Sequence, residues 1–278
     1  LCIGHHHNLS RGTPSDIHHG YKERLTDVIS VHHQPRATVS AERVMAVFSF
    51  RYDADLVPDL LTNLKPLVDG WIAFDDRAST ELFSDEPSRR KQLLAAARQA
   101  GAGWVLAVDP DERFETALAD AMPALTAAEG LVAYSFALRE MYTTQCYRTD
   151  GIWGKKRQAR LLRLPHSWAE SPSPLHSPWT GLVPEARIVD TEFNLYHLKM
   201  LTSERRQARA ALYSHLDPEK RFQPIGYDYL MDDTGAQLET IGKGREFAPP
   251  HVDDGALWMP SVPELGLVAD GVGRPDPP

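Results

Sequence analysis

Three short apolar segments, each running straight into carboxylates, constrain this chain most. They are Arg43–Phe50 (RVMAVFSF), Trp71–Phe74 (WIAF) and Trp104–Val108 (WVLAV). Asp53 and Asp55 follow the first, Asp75 and Asp76 the second, and Asp109, Asp111 and Glu112 the third. Runs this short and rich in β-formers read as buried strands. Between them lie helical patterns. Asp55–Pro66 places Leu56, Leu60, Leu61 and Leu64 on one stripe. Pro87–Ala100 puts Leu93, Leu94, Ala97 and Ala100 opposite Arg89, Arg90, Lys91 and Arg98, with Gly101 and Gly103 to stop it. Strand, helix, strand, helix, strand at this spacing predicts βαβ units and a parallel sheet.

The second half is read as longer strands over Gly130–Met141, Ala159–Leu164 and Thr191–Leu198. Ser203–His215 reads as a helix with Glu204, Arg205, Arg206 and Arg209 exposed, capped by Thr202 or Ser203 and ended by Asp217-Pro218. Residues 142–156 and 165–185 read as loops. Residues 1–40 hold seven of the twelve histidines and read as a poorly ordered extension, with a metal-binding arm as the alternative. Residues 242–278 read as a loop-rich tail, leaving 41–241 as the main domain.

Composition narrows the function classes. Hydrophobic residues make up 42 % and charged residues 24 %, ordinary globular values. A net charge of −8 disfavours a general nucleic-acid binder. Two cysteines, Cys2 and Cys146, exclude a disulfide scaffold and point to a reducing, cytoplasmic compartment. No apolar run approaches a membrane span, and residues 1–30 show no leader peptide. The chain starts at Leu1 rather than Met, which reads as a piece of something longer.

In a parallel α/β sheet, ligands bind outside the carboxyl ends of the strands. Asp109 and Asp111 sit two apart in an extended turn there, so both can reach one side. Close carboxylates repel one another, and a hard divalent cation relieves this. A solvated acidic turn is the plain alternative for an isolated Asp-x-Asp.

The order of these elements resembles the family 2 glycosyltransferases of the GT-A fold, over roughly residues 41–235. Ala100–Glu112 (AGAGWVLAVDPDE) is similar to that family's strand and its D-x-D-E motif. Asn194–Asp217 is similar to its late strand with a His followed by an Arg-rich helix. Lys156–Arg163 (KRQARLLR) is similar to its R-x-x-R-L-x-R strand. The resemblance implies an α/β fold with a Rossmann-like, mostly parallel central sheet flanked by helices and a more irregular acceptor-side C-terminal half. It implies that Asp109, Asp111 and His197 hold Mn²⁺ or Mg²⁺ at the donor diphosphate. Asp75 and Asp76 would contact the nucleotide, and Lys155, Lys156 and Arg157 would form a basic loop over the phosphates. Outside that role, His197 is a satisfied core group and the basic loop a solvated turn. Trp153, Trp168 and Trp179 either stack on a sugar or pack the loops.

The chain departs from the family where its first strand ends, at Phe50-Arg51-Tyr52-Asp53 instead of Asn-Glu. Arg51 stands as the nucleotide contact at that position. The family's His-Glu pair is replaced by His176-Ser177, so the base of an inverting transfer is sought in Glu170, ranked first, or Glu185. The function implied is metal-dependent inverting transfer from a nucleotide-diphosphate sugar, a UDP-sugar favoured. The acceptor would be a glycan, a small molecule or a lipid-linked glycan met at the membrane surface. The alternatives are a non-catalytic nucleotide-sugar or glycan-binding module and a sugar nucleotidyltransferase. A glycoside hydrolase ranks below both, because no pair of carboxylates to flank one bond is identifiable.

Overall fold

The computed structural model describes residues 21–24, 28–34, 42–51, 53–78, 86–169 and 178–251. In chain order the strands are β1 (Tyr21–Arg24), β2 (Ile29–His33), β3 (Arg43–Phe50), β4 (Gly70–Asp75), β5 (Ala102–Ala107), β6 (Glu112–Phe114), β7 (Val132–Glu140), β8 (Cys146–Arg148), β9 (Arg157–Arg163), β10 (Arg187–His197) and β11 (Leu238–Thr240). The helices are α1 (Val57–Leu64), α2 (Glu86–Gln99), α3 (Leu118–Thr126) and α4 (Ser203–Leu216).

Nine strands form one sheet in the order β1-β2-β4-β3-β5-β9-β7-β10-β6, and β8 pairs with β11 separately. Strands β4, β3 and β5 are parallel neighbours, as the βαβ pattern predicts. The sheet as a whole is mixed, not mostly parallel. Strand β9 lies antiparallel between β5 and β7, β2 runs against β4, and β6 runs against β10. The reason is connectivity: an antiparallel return needs no crossover helix, and only the short strand β8 and a single 3₁₀ turn (Trp153–Lys155) separate β7 from β9.

Both faces of the central strands are covered, which explains their unbroken apolar runs. On β3, Val44, Ala46 and Phe48 join one core layer with α1 residues Leu60, Leu61 and Leu64. Met45 and Val47, pointing the other way, join α2 residues Leu93, Leu94 and Ala97. Gly70, at the start of β4, allows the close approach of β2, because a Cβ there would collide with the His32 carbonyl.

Both flanks of the main domain pack against it. Part of the His-rich extension enters the sheet. His32 is buried and stacks on Trp71 at 4.1 Å, and His33 Nδ1 lies 3.0 Å from Arg43 Nη1. These two histidines serve the core, while the other five in residues 1–40 lie outside the described residues. Residues 242–251 carry no regular element, in keeping with a loop-rich tail, and they pack on the domain. Thr116 N–H donates to Glu246 O (2.9 Å), Tyr196 Oη donates to Arg245 O (2.7 Å) and Asn63 Nδ2 donates to Ala248 O (2.9 Å). Phe247 is buried against Tyr196. The segment straps across the β6 edge. Among the described residues, no helix is long and apolar enough to cross a membrane.

Leu106 on β5 is fully buried between layers. Leu106→Ala should therefore lower stability by about 2–5 kcal/mol. The check is urea unfolding with a shifted midpoint and an unchanged slope.

Candidate functional site

The carboxyl ends of β4, β3, β5, β7 and β10 meet at one edge of the sheet, marked by Asp75, Phe50, Ala107, Glu140 and His197. The β5 strand leaves the sheet at Val108 and turns through Asp109-Pro110-Asp111 into β6. Asp109 O accepts from Glu112 N–H (3.0 Å), and Asp109 N–H donates to Glu112 Oε2 (3.0 Å). Asp111 O accepts from Leu198 N–H (2.7 Å), so this turn is tied to the end of β10.

The two carboxylates of the Asp-x-Asp turn point to different environments. Asp111 is 3 % exposed at its side chain. Its Oδ2 accepts from Arg205 Nη2 (3.2 Å) and Arg209 Nη2 (2.7 Å), and its Oδ1 lies 3.4 Å from His197 Nε2. The same guanidiniums hold Asp53, Arg205 at 2.5 Å and Arg209 at 2.7 Å. Burial alone would raise the Asp111 pKa, but His197 and Arg209 outweigh it and hold the carboxyl well below its usual value. Asp109 is 47 % exposed at its side chain and accepts from Arg160 Nη2 (2.9 Å). Arg160 also bonds Glu112, whose pKa burial pushes up despite that partner.

Sequence reasoning set Arg205, Arg206 and Arg209 on an exposed helix face. They turn inward instead. Arg205 is 1 % and Arg206 8 % exposed; for Arg205 the buried Asp111 on a distant segment requires the counter-charge. Arg206 donates to Met200 O (2.9 Å) and Asp233 (3.2 Å).

Glu140 and Lys199 are site residues that the sequence reading missed. Glu140 closes β7 fully buried, with Oε2 2.9 Å from His197 Nδ1 and Oε1 3.3 Å from Lys199 Nζ. Burial opposes its charge, yet Lys199 and His197 hold its pKa at about 2. For His197, burial would lower the pKa, but Glu140 and Asp111 raise it to about 9. The signal available was position: a lone acid ending an apolar strand at the same edge as the aspartates.

The other expected residues are scattered. Asp75 is engaged by Arg77 through Nε (2.9 Å) and Nη2 (2.7 Å). Asp76 lies 3.5 Å from Arg89 Nη1, and its N–H donates to Phe50 O. Arg51 follows β3 at this edge. Lys156 is at the edge too, its Nζ 5.0 Å from the Trp153 ring centre and 5.8 Å from that of Tyr229. Lys155 is exposed. Arg157 is turned away, bonded to Ser135 Oγ (2.9 Å), Thr191 O (2.7 Å) and Asp190 (3.0 Å) over the β10 irregularity. Glu185 is exposed before β10 begins, at the opposite end of the sheet. It lines a hollow of about 550 Å³ there with Arg163 and Trp168. Glu170 lies outside the described residues. Trp153 and Trp179 are buried, and Arg98 covers Trp168 at 4.4 Å, so all three pack loops.

A divalent cation on Asp109, Asp111 and His197 does not fit this donor set. Asp111 Oδ2 is held by Arg205 and Arg209, and His197 is already set between Asp111 Oδ1 on its Nε2 side and Glu140 on its Nδ1 side. Among the described residues, no group of three His, Cys, Asp or Glu side chains is arranged to hold a metal. The chain matches no protein-family model and no curated protein.

Arg209→Met leaves Asp53 and Asp111 short of a counter-ion and should cost about 3–5 kcal/mol in unfolding free energy. The His197 pKa is raised on folding, so its stabilisation is full below about pH 6.5 and is lost as pH rises through about 9. Urea midpoints of the wild type should fall between pH 7 and 10 more steeply than those of His197→Gln.

Proposed function

We propose that this protein is a glycosyltransferase of the GT-A kind, taking its sugar from a nucleotide-diphosphate donor. One observation carries the reading. The carboxyl ends of three adjacent parallel strands bear Asp53, Asp75–Asp76 and Asp109, and cations from β9, β10 and α4 face them across the same edge. Ligands of open α/β sheets bind at this edge. The resemblance of Ala100–Glu112 and Asn194–Asp217 to family 2 glycosyltransferases gives the ligand its class, with a UDP-sugar favoured.

The chemistry follows from charge. As the glycosidic bond breaks, the nucleoside diphosphate gains negative charge. Fixed cations that need no reorganisation stabilise it. In this reading Asp76 and Arg51 serve the nucleoside, and Lys156 with the His197–Lys199 pair faces the phosphates. The acceptor hydroxyl approaches from the side of the β8–β11 ribbon and α4. Its proton is taken by a carboxylate base on the opposite face of the sugar.

The sealed state of Asp111 and the remote position of Glu185 favour a second reading, a module that binds a nucleotide sugar without transferring it. Calorimetric titration of UDP and GDP into the full chain tests the shared premise, and binding of one nucleotide is expected. Asp76→Ala should weaken that binding at least tenfold, and failure of both nucleotides to bind would sink both readings. Release of nucleoside diphosphate from the matching sugar nucleotide, dependent on an added glycan acceptor, then separates transfer from binding alone.

A further inference from the structure

We propose that the phosphate groups at this edge are held by fixed protein cations, Lys156 foremost with Lys199, and that their binding needs no divalent metal. The inference rests on the nucleotide-sugar reading above and deepens it. Three observations support it. The first is the misfit already described: Asp111 Oδ2 is held by Arg205 and Arg209, and among the described residues no three His, Cys, Asp or Glu side chains are arranged to hold a metal. A dication on Asp109 would share that carboxylate with Arg160 at 2.9 Å, and the Arg90 charge is near enough to be felt by Asp109. Arg160 thus already occupies one oxygen of the carboxylate that a dication would need.

The second observation is an excess of positive charge. Among the described residues, Glu140 is the carboxylate that Lys156 and Lys199 share. Two lysine ammoniums around one fully buried carboxylate leave the locale positive. The third concerns how Lys156 is held. Among the described residues no carboxylate lies within ion-pair distance of its Nζ. Its neighbours are the Trp153 and Tyr229 rings. Aromatic faces seat an ammonium without cancelling its charge. Burial and the like charge of Lys199 both press the Lys156 pKa down. An incoming polyanion relieves both, so the cluster is poised for an anion of more than one charge, which a diphosphate is. An anion on such a cluster is neutralised as it would be by a metal, with the charges already in place.

The probe is inorganic pyrophosphate, titrated calorimetrically into the full chain in EDTA and again with Mn²⁺. Binding in EDTA is expected. It should weaken at least tenfold in Lys156→Met, which keeps the aliphatic stem on Trp153, and recover in Lys156→Arg. In Asp109→Asn it should be unchanged or tighter, because a like charge is removed. The electron paramagnetic resonance signal of free Mn²⁺ should not fall when protein is added. Circular dichroism of each variant confirms the fold. Pyrophosphate binding that appears only with Mn²⁺, or that disappears in Asp109→Asn, overturns the inference while the nucleotide-sugar reading stands. No pyrophosphate binding under either condition also overturns it. The UDP and GDP titration then decides the wider reading separately.

Discussion

Asp53 and Asp111 come from the ends of neighbouring strands, and each is bonded to both Arg205 and Arg209. Buried carboxylates this close would repel one another without those guanidiniums, and the guanidiniums would be equally costly without them. The mutual requirement fixes where α4 lies. It also fixes the turn after β5, because Asp111 cannot leave the cluster without stranding two arginines. From that turn the constraint passes to β6, whose first residue pairs with His197, and to the His197–Glu140–Lys199 group. The edge is thus one connected set of charges, each satisfied only in the presence of the next.

Much of this was legible in the sequence. The runs RVMAVFSF, WIAF and WVLAV appear as β3, β4 and β5, and the stripes between them as α1 and α2, because covered strands and amphipathic helices carry local periodic signals. The mixed pairing was not legible. Strand β9 looks like any other apolar run, and its place between β5 and β7 depends on register with both. Helix α3 is obscured by Pro123 within it. The strap of residues 242–251 has no periodicity; its anchors lie far away in sequence, where the Asn63 and Tyr196 side chains donate to its carbonyls and Glu115 pairs with its Arg245.

At the site, the aspartates were legible and their partners were not. The Glu-Arg-Arg-Gln-Ala-Arg run of α4 has the look of a solvated face. Only Asp53, 152 residues before Arg205, makes that face an interior one. The same limit applies to the Asp-x-Asp turn. Spacing tells that Asp109 and Asp111 are near each other, but not that one looks to solvent and the other into a nest of cations. Spacing reports proximity along the chain; charge partnership is a property of the folded whole.

The strap has a further consequence for where this folding unit stops. Glu115 is fully buried, and its counter-ion is Arg245, 2.9 Å away in the strap. Phe247 fills the space beside Tyr196. A fragment cut after β11 would keep every strand and helix of the described residues. It would still carry a buried acid without its base, an open edge at β6 and a vacant aromatic seat. The minimal autonomous unit is therefore set by a stretch with no secondary structure of its own, and its boundary is electrostatic.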